Sequence, residues 1–65
     1  MLDIEHAMLA ERFEALLEAQ RRAESIYAEL AARIADPALR EQVEEIGREK
    51  HRHVRLTERL LEIVE

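Results

Sequence analysis

Apolar residues recur along this chain at alternating spacings of three and four residues. Such a spacing places them on one side of an α-helix and predicts a seam between packed helices. In the first half of the chain, the predicted seam consists of Leu9, Phe13, Leu16, Gln20, Ala23, Tyr27, Leu30 and Ile34. In the second half, it consists of Leu39, Val43, Ile46, Lys50, His53, Thr57, Leu60 and Val64.

The two patterns are separated by a single break at Ala35-Asp36-Pro37. Proline disfavours helix in the residue before it and suits the first turn of a new helix, and aspartate is a good N-cap. We therefore predict one all-α domain over residues 1–65. It consists of a helix over about residues 3–35, a turn at 36–37 and a helix over about 37–64, folded as an antiparallel hairpin.

Polar residues interrupt both predicted seams near the middle of the hairpin. Folding the chain at Asp36 brings together residues whose numbers sum to roughly 73, if the helices rise evenly from the turn. On that basis Gln20 should meet His53, and Ala23 should meet Lys50. The sequence thus predicts a polar cluster at mid-length.

The predicted open end of the hairpin carries more apolar side chains than one seam can bury. Contiguous exposed apolar surface usually marks an interface, and two hairpins packed as a four-helix bundle would cover it. We therefore expect a homodimer or a higher homo-oligomer. The residues concerned are Leu2, Ile4, Met8, Leu9, Leu16, Leu17, Val54, Leu56, Leu60, Leu61, Ile63 and Val64.

Length and composition agree with a small helical module. A chain of 65 residues without cysteine has neither the size nor the disulfides to stabilise itself easily, which again favours self-association. The net charge of −5 disfavours polyanionic partners. No apolar run reaches the length of a membrane span and the amino terminus does not resemble a secretory signal, so a cytoplasmic location is the expectation.

A row of arginines occupies the predicted solvent side of the second helix. The row consists of Arg48, Arg52, Arg55 and Arg59. We interpret it as a solvated surface paired with Glu45, Glu49, Glu58 and Glu62. The alternative is a surface that binds the RNA backbone, which the absence of aromatic residues for base stacking disfavours.

At mid-length, the spacing of polar residues resembles ferritin-like and rubrerythrin-like helix pairs. The similarity is strongest to the two-helix encapsulated ferritins, in which one helix carries Glu-x6-Tyr and the next carries Glu-x-x-His. Here Gln20 and Tyr27 stand in the first pattern, and Lys50 and His53 stand in the second. The segment YAELAARIADPALREQV also resembles the turn region of rubrerythrin-like domains. The resemblance covers approximately residues 13–64.

The resemblance implies a half-bundle that dimerises, bound iron, a ferroxidase-like activity and a location inside a protein compartment. However, Gln20 and Lys50 replace both family glutamates, and a di-iron site needs carboxylates to balance the metal charge. The substitutions therefore indicate a degenerate site without cofactor or catalysis. Lys50 is expected to form an ion pair with Glu24 or Glu49 instead, within the chain or across a dimer.

A displaced metal site is the alternative. Glu49 and His53 are four residues apart, a usable ligand spacing, and Glu24 lies near the same level of the other helix. Together they would bind iron, zinc or manganese between subunits. Otherwise, the two glutamates are interface ion-pair partners and His53 is a hydrogen-bonded core residue.

The sequence therefore leaves three functions open. The first is a self-associating ferritin-like hairpin with a degenerate di-iron site, acting as a structural or interaction module, with a shell or another protein as a further partner. The second is a metal-binding relative that uses Glu24, Glu49 and His53. The third is a small RNA-binding hairpin dimer.

Overall fold

A computed structural model describes residues 2–65 of the chain, except for the side chain of Leu2. The predicted contribution of Leu2 to the apolar open end therefore lies outside the described part of the chain. Helix α1 spans Leu2–Arg33 and helix α2 spans Pro37–Val64. The helices pack against each other along their length, which confirms the predicted hairpin. Between residues 2 and 65, no helix is long and apolar enough to cross a membrane.

The turn is built by local hydrogen bonds. Asp36 is extended, and its carboxylate accepts a hydrogen bond of 3.0 Å from the amide of Leu39, so it caps α2 with Pro37 following at the start of the helix. Arg40 donates from Nε to the carbonyl of Ile34 at 3.0 Å. This side chain therefore supplies a hydrogen-bond partner to the carboxyl end of α1, where carbonyls lack partners within the helix.

The observed seam differs from the prediction at every second position. In α1 and at Ile34 just after it, the 3-4 repeat of less exposed residues is Ala10, Phe13, Leu17, Gln20, Glu24, Tyr27, Ala31 and Ile34, beside which the predicted Ala23 is also half-buried. In α2, the repeat is Val43, Gly47, Lys50, Val54, Thr57, Leu61 and Val64, beside which Glu58 and the predicted Leu60 are also half-buried. In each seven-residue repeat, one of the two predicted seam positions is correct. The other seam residue lies one position further along the chain than predicted. The inward orientation predicted for Leu9, Leu16, Leu30, Leu39, Ile46 and His53 is therefore wrong.

Small side chains account for this difference at two positions. At two of the disputed positions the seam contains Ala31 and Gly47, where the prediction placed the larger neighbours Leu30 and Ile46. A Cβ atom added at Gly47 would lie 3.8 Å from the Cβ of Tyr27, so the helices approach closely there. Close approach brings the two backbones within packing distance, and it leaves the larger neighbours outside the seam.

The register between the helices also differs from the prediction, by about one helical turn. Gln20 meets Thr57, whose hydroxyl donates to Gln20 Oε1 at 2.6 Å, and Tyr27 meets Lys50. The predicted pairs, Gln20 with His53 and Ala23 with Lys50, are therefore wrong. The extended backbone at Asp36 carries the chain past the end of α1 before α2 begins, which displaces α2 toward the turn.

Candidate functional site

The hairpin has two different sides, which the contacts between the helices distinguish. On the first, Arg21 forms an ion pair with Glu58 at 2.8 Å, and Glu24 hydrogen-bonds to Nδ1 of His51 at 2.7 Å. Arg21, His51 and Glu58 each directly follow a seam residue. We call this the bridged side, because charged side chains link the two helices across it.

The other side carries Leu39 and residues that directly precede seam residues. They form two inner rows, Leu9, Leu16, Ala23 and Leu30 of α1 and Leu39, Ile46, His53 and Leu60 of α2. Ile26, Leu56 and Ile63 directly precede the seam residues Tyr27, Thr57 and Val64, and they extend these rows outward. We call the inner rows together with Ile26, Leu56 and Ile63 the apolar face. The other residues that directly precede seam residues are exposed and flank this face: Arg12, Ala19, Arg33, Gln42 and Glu49.

The apolar face collects most of the apolar surface that the hairpin leaves in water. Of the ten large hydrophobic residues that are exposed within residues 3–65, all except Ile4 and Met8 belong to it. Leu16 and Leu30 are each 44% exposed, although their neighbours Leu17 and Ala31 are each only 7% exposed. The chain therefore has a second apolar stripe, which its own fold does not cover.

Lys50 and His53, the two residues compared with the Glu-x-x-His pattern of di-iron proteins, lie on or beside this face. His53 is exposed in an inner row and is the only ionisable side chain there. Lys50 is half-buried in the seam, with Nζ 5.9 Å from the centre of the Tyr27 ring, a cation–π arrangement. No ion pair joins Lys50 to a carboxylate within residues 2–65, so the pairing expected with Glu24 or Glu49 of the same chain is wrong.

The candidate metal ligands are divided between the two sides. The carboxylate of Glu24 is occupied by His51 on the bridged side, whereas Glu49 and His53 are exposed and one helical turn apart on α2. In the described part of the chain, no three histidine, aspartate or glutamate side chains lie close enough together to hold a metal ion. One hairpin therefore does not assemble the predicted set.

The positions that match the di-iron pattern are also spread along the seam. Gln20 lies level with Thr57, and Lys50 lies level with Tyr27. Seven residues separate Thr57 from Lys50, so at 1.5 Å per residue the levels of Gln20 and Lys50 are about 10 Å apart. Within one chain, these two side chains do not converge on one point.

The arginine row makes ion pairs with neighbouring carboxylates. Two of these carboxylates, Glu45 and Glu58, are among the partners predicted for a solvent-exposed row. Arg48 lies 2.6 Å from Glu45 and 3.1 Å from Glu41, and Arg55 lies 3.7 Å from Glu58. The hydrogen bond and the charge of Arg48 lower the pKa of Glu45 below its ordinary value. Much of the positive charge of this row is therefore locally compensated.

An open groove of about 980 Å³ lies along the bridged side, near the turn. Its lining combines small residues, among them Ala28, Ala31 and Gly47, with charged side chains that include Arg40, Arg48 and Glu44. Arg40 already donates to the backbone of Ile34, and Arg48 is paired with Glu41 and Glu45. The cations around the groove therefore have partners within the chain.

Sequence reasoning missed the role of His51 and the extent of the apolar face, because it placed the excess apolar side chains only at the open end. It gave His51 no role, although this residue bridges the helices. The signal for the face lies in adjacent residues that both suit the seam, such as Leu16 with Leu17 and Leu60 with Leu61. Such pairs indicate two apolar stripes on one helix.

Comparison of the chain with protein-family models, with curated proteins and with solved structures gave no match.

Proposed function

We propose that the chain is a self-associating helical hairpin that acts as a structural or interaction module, a ferritin-like half-bundle whose di-iron site is degenerate. Its working form is a homodimer, in which two hairpins complete a four-helix bundle. Several polar groups of the described residues pair across the helices, Arg21 with Glu58 and Glu24 with His51, which supports packing as their role.

The surface area of the hairpin carries this proposal. A compact protein of 7.6 kDa exposes about 4,300 Å², from the scaling of surface with mass, whereas this chain exposes 5221 Å². The excess, about 900 Å², is surface that a compact chain of this mass would bury.

The shape of the hairpin supports the same proposal. Its extents are 54 × 14 × 10 Å, and its radius of gyration is 15.3 Å against about 11 Å for a compact domain of this length. A stable domain usually needs two packed layers of secondary structure, whereas this hairpin has a single layer of helices. A second copy of the hairpin would supply the second layer.

Self-association predicts a mass in solution about twice 7.6 kDa. Sedimentation equilibrium over micromolar concentrations would measure this mass, and circular dichroism at 222 nm on the same samples would measure helix content. We expect a dimer whose helix content falls on dilution, because separated hairpins lose the packing that stabilises them. A well-folded monomer at micromolar concentration would refute the proposal.

A further inference from the structure

We propose that the apolar face is the surface through which two copies of this chain pair, and that the bridged side faces solvent in the dimer. This assignment rests on the proposed self-association and specifies its interface. The partner is a second copy of the same hairpin, packed face to face.

Buried area supports a second copy as the partner. A compact protein of twice 7.6 kDa exposes about 7,100 Å², so two hairpins of 5221 Å² would each have to bury about 1,650 Å² to reach that value. This is within the range of obligate homodimer interfaces. The hairpin offers such an area only along its full length of 54 Å, and the apolar face extends from Leu9 near one end to Leu39 near the turn.

The composition of the face supports pairing between identical surfaces. In a twofold dimer the same patch meets itself, so a patch that carries a strong charge of one sign would repel its copy. The inner rows contain one ionisable side chain, His53, and otherwise leucine, isoleucine and alanine. This face can therefore meet its own copy without burying a row of like charges.

The bridged side is a poor candidate for the same role. Its side chains are already paired across the helices, through Arg21 with Glu58 and Glu24 with His51, and the two carboxylates are about two-thirds hidden from water. Covering these pairs with a second copy would remove water from charged groups, a cost that their attraction often fails to repay.

A pair of lysine substitutions on one helix tests the assignment. Leu30→Lys places a charge on the apolar face, and Ala28→Lys places the same side chain on the bridged side, two residues away. Both sites are exposed in the hairpin, so both variants can form it. We expect Leu30→Lys to raise the dissociation constant of the dimer at least about tenfold, and Ala28→Lys to change it less than about threefold, because only the first buries a lysine at the interface.

A third variant, Leu30→Met, controls for the loss of leucine itself. It keeps an apolar side chain of similar volume and should leave the dimer intact. All three variants are compared with the natural chain by sedimentation equilibrium, with helix content measured on the same samples.

The outcomes separate the interface from self-association. If the natural chain is a monomer, self-association itself is refuted. If the natural chain dimerises but Ala28→Lys disrupts the dimer as strongly as Leu30→Lys, or Leu30→Lys has no effect, self-association stands and the assignment to the apolar face is wrong.

Discussion

Lys50 lies in the seam between the two helices without forming an ion pair within the described part of the chain. Its position in the 3-4 repeat places its aliphatic stem between the helices, and the stem is long enough to carry the ammonium group outward. The ring of Tyr27 lies beneath the charge at 5.9 Å, where the electron density of the ring face attracts a cation. A carboxylate in the seam is therefore unnecessary, and Glu24 pairs with His51 instead.

At the residue scale, Arg48→Gln should raise the pKa of Glu45 toward its ordinary value, because the hydrogen bond and charge of Arg48 lower it in the natural chain. Since the pKa is lowered by folding, the associated stability is present above the ordinary pKa of glutamate and is lost as pH falls through the lowered value. NMR titration of the side-chain carboxyl carbon would measure the shift.

Arg52→Gln is the matched control for this prediction. Arg52 lies 4.0 Å from Glu45 and contributes less to the lowered pKa than Arg48 does. A larger rise of the pKa in Arg52→Gln than in Arg48→Gln would contradict the assignment of Arg48 as the main cause.

At the scale of the helices, small residues decide how the two elements pack. Gly47 lies in the interior of α2, where glycine is normally unfavourable, and faces Tyr27. The space around it admits a methyl group at ordinary van der Waals distance. The close approach of the helices at this point therefore tolerates alanine as well as glycine.

We expect Gly47→Ala to increase the free energy of unfolding by about 0.5–1 kcal/mol, because alanine restricts the unfolded chain and favours helix. Chemical denaturation followed by circular dichroism would measure the change. Gly47→Leu should destabilise the hairpin, since a larger side chain cannot fit against Tyr27 without separating the helices. Destabilisation by the alanine variant would show that the contact at Gly47 is tighter than 3.8 Å implies.

At the scale of the whole molecule, the proposed dimer would make the hairpin one layer of a two-layered structure. Its charged groups pair along the bridged side and along the arginine row, and its apolar side chains gather on the apolar face. This segregation gives the molecule one surface suited to water and one suited to a partner. Dimerisation would bury His53 of both copies together with the apolar rows.

The proposed function predicts much less than one metal ion per dimer after incubation with ferrous iron, zinc or manganese and removal of free metal. Lys50 brings a positive charge where the di-iron pattern has a carboxylate, and Glu24 is already bonded to His51. Elemental analysis of the dimer would measure the metal content. One or two ions per dimer, lost in His53→Ala and retained in the control His51→Ala, would instead establish the metal-binding alternative.

The sequence by itself determined the elements and the break between them. The 3-4 repeat predicted two helices, and Asp36 with Pro37 predicted the turn, because capping and proline geometry are local properties. The polar residues at Gln20, Tyr27, Lys50 and Thr57 were also assigned to the seam correctly. They were identifiable because these positions belong to both versions of the apolar repeat.

Only the tertiary structure decided which of two adjacent apolar residues enters the seam. It also decided the register in which the two helices pair. Neighbours such as Leu16 and Leu17 lie 100° apart on a helix, so periodicity admits both, and the approach of the second helix selects one. As a result, Leu16 and His53 are exposed, and Gln20 and Lys50 lie about 10 Å apart along the helix axis. Glu24 hydrogen-bonds to His51 and not to Lys50. The candidate metal set failed to assemble within one chain because it depended on facing and register, which arise from contacts distant in sequence.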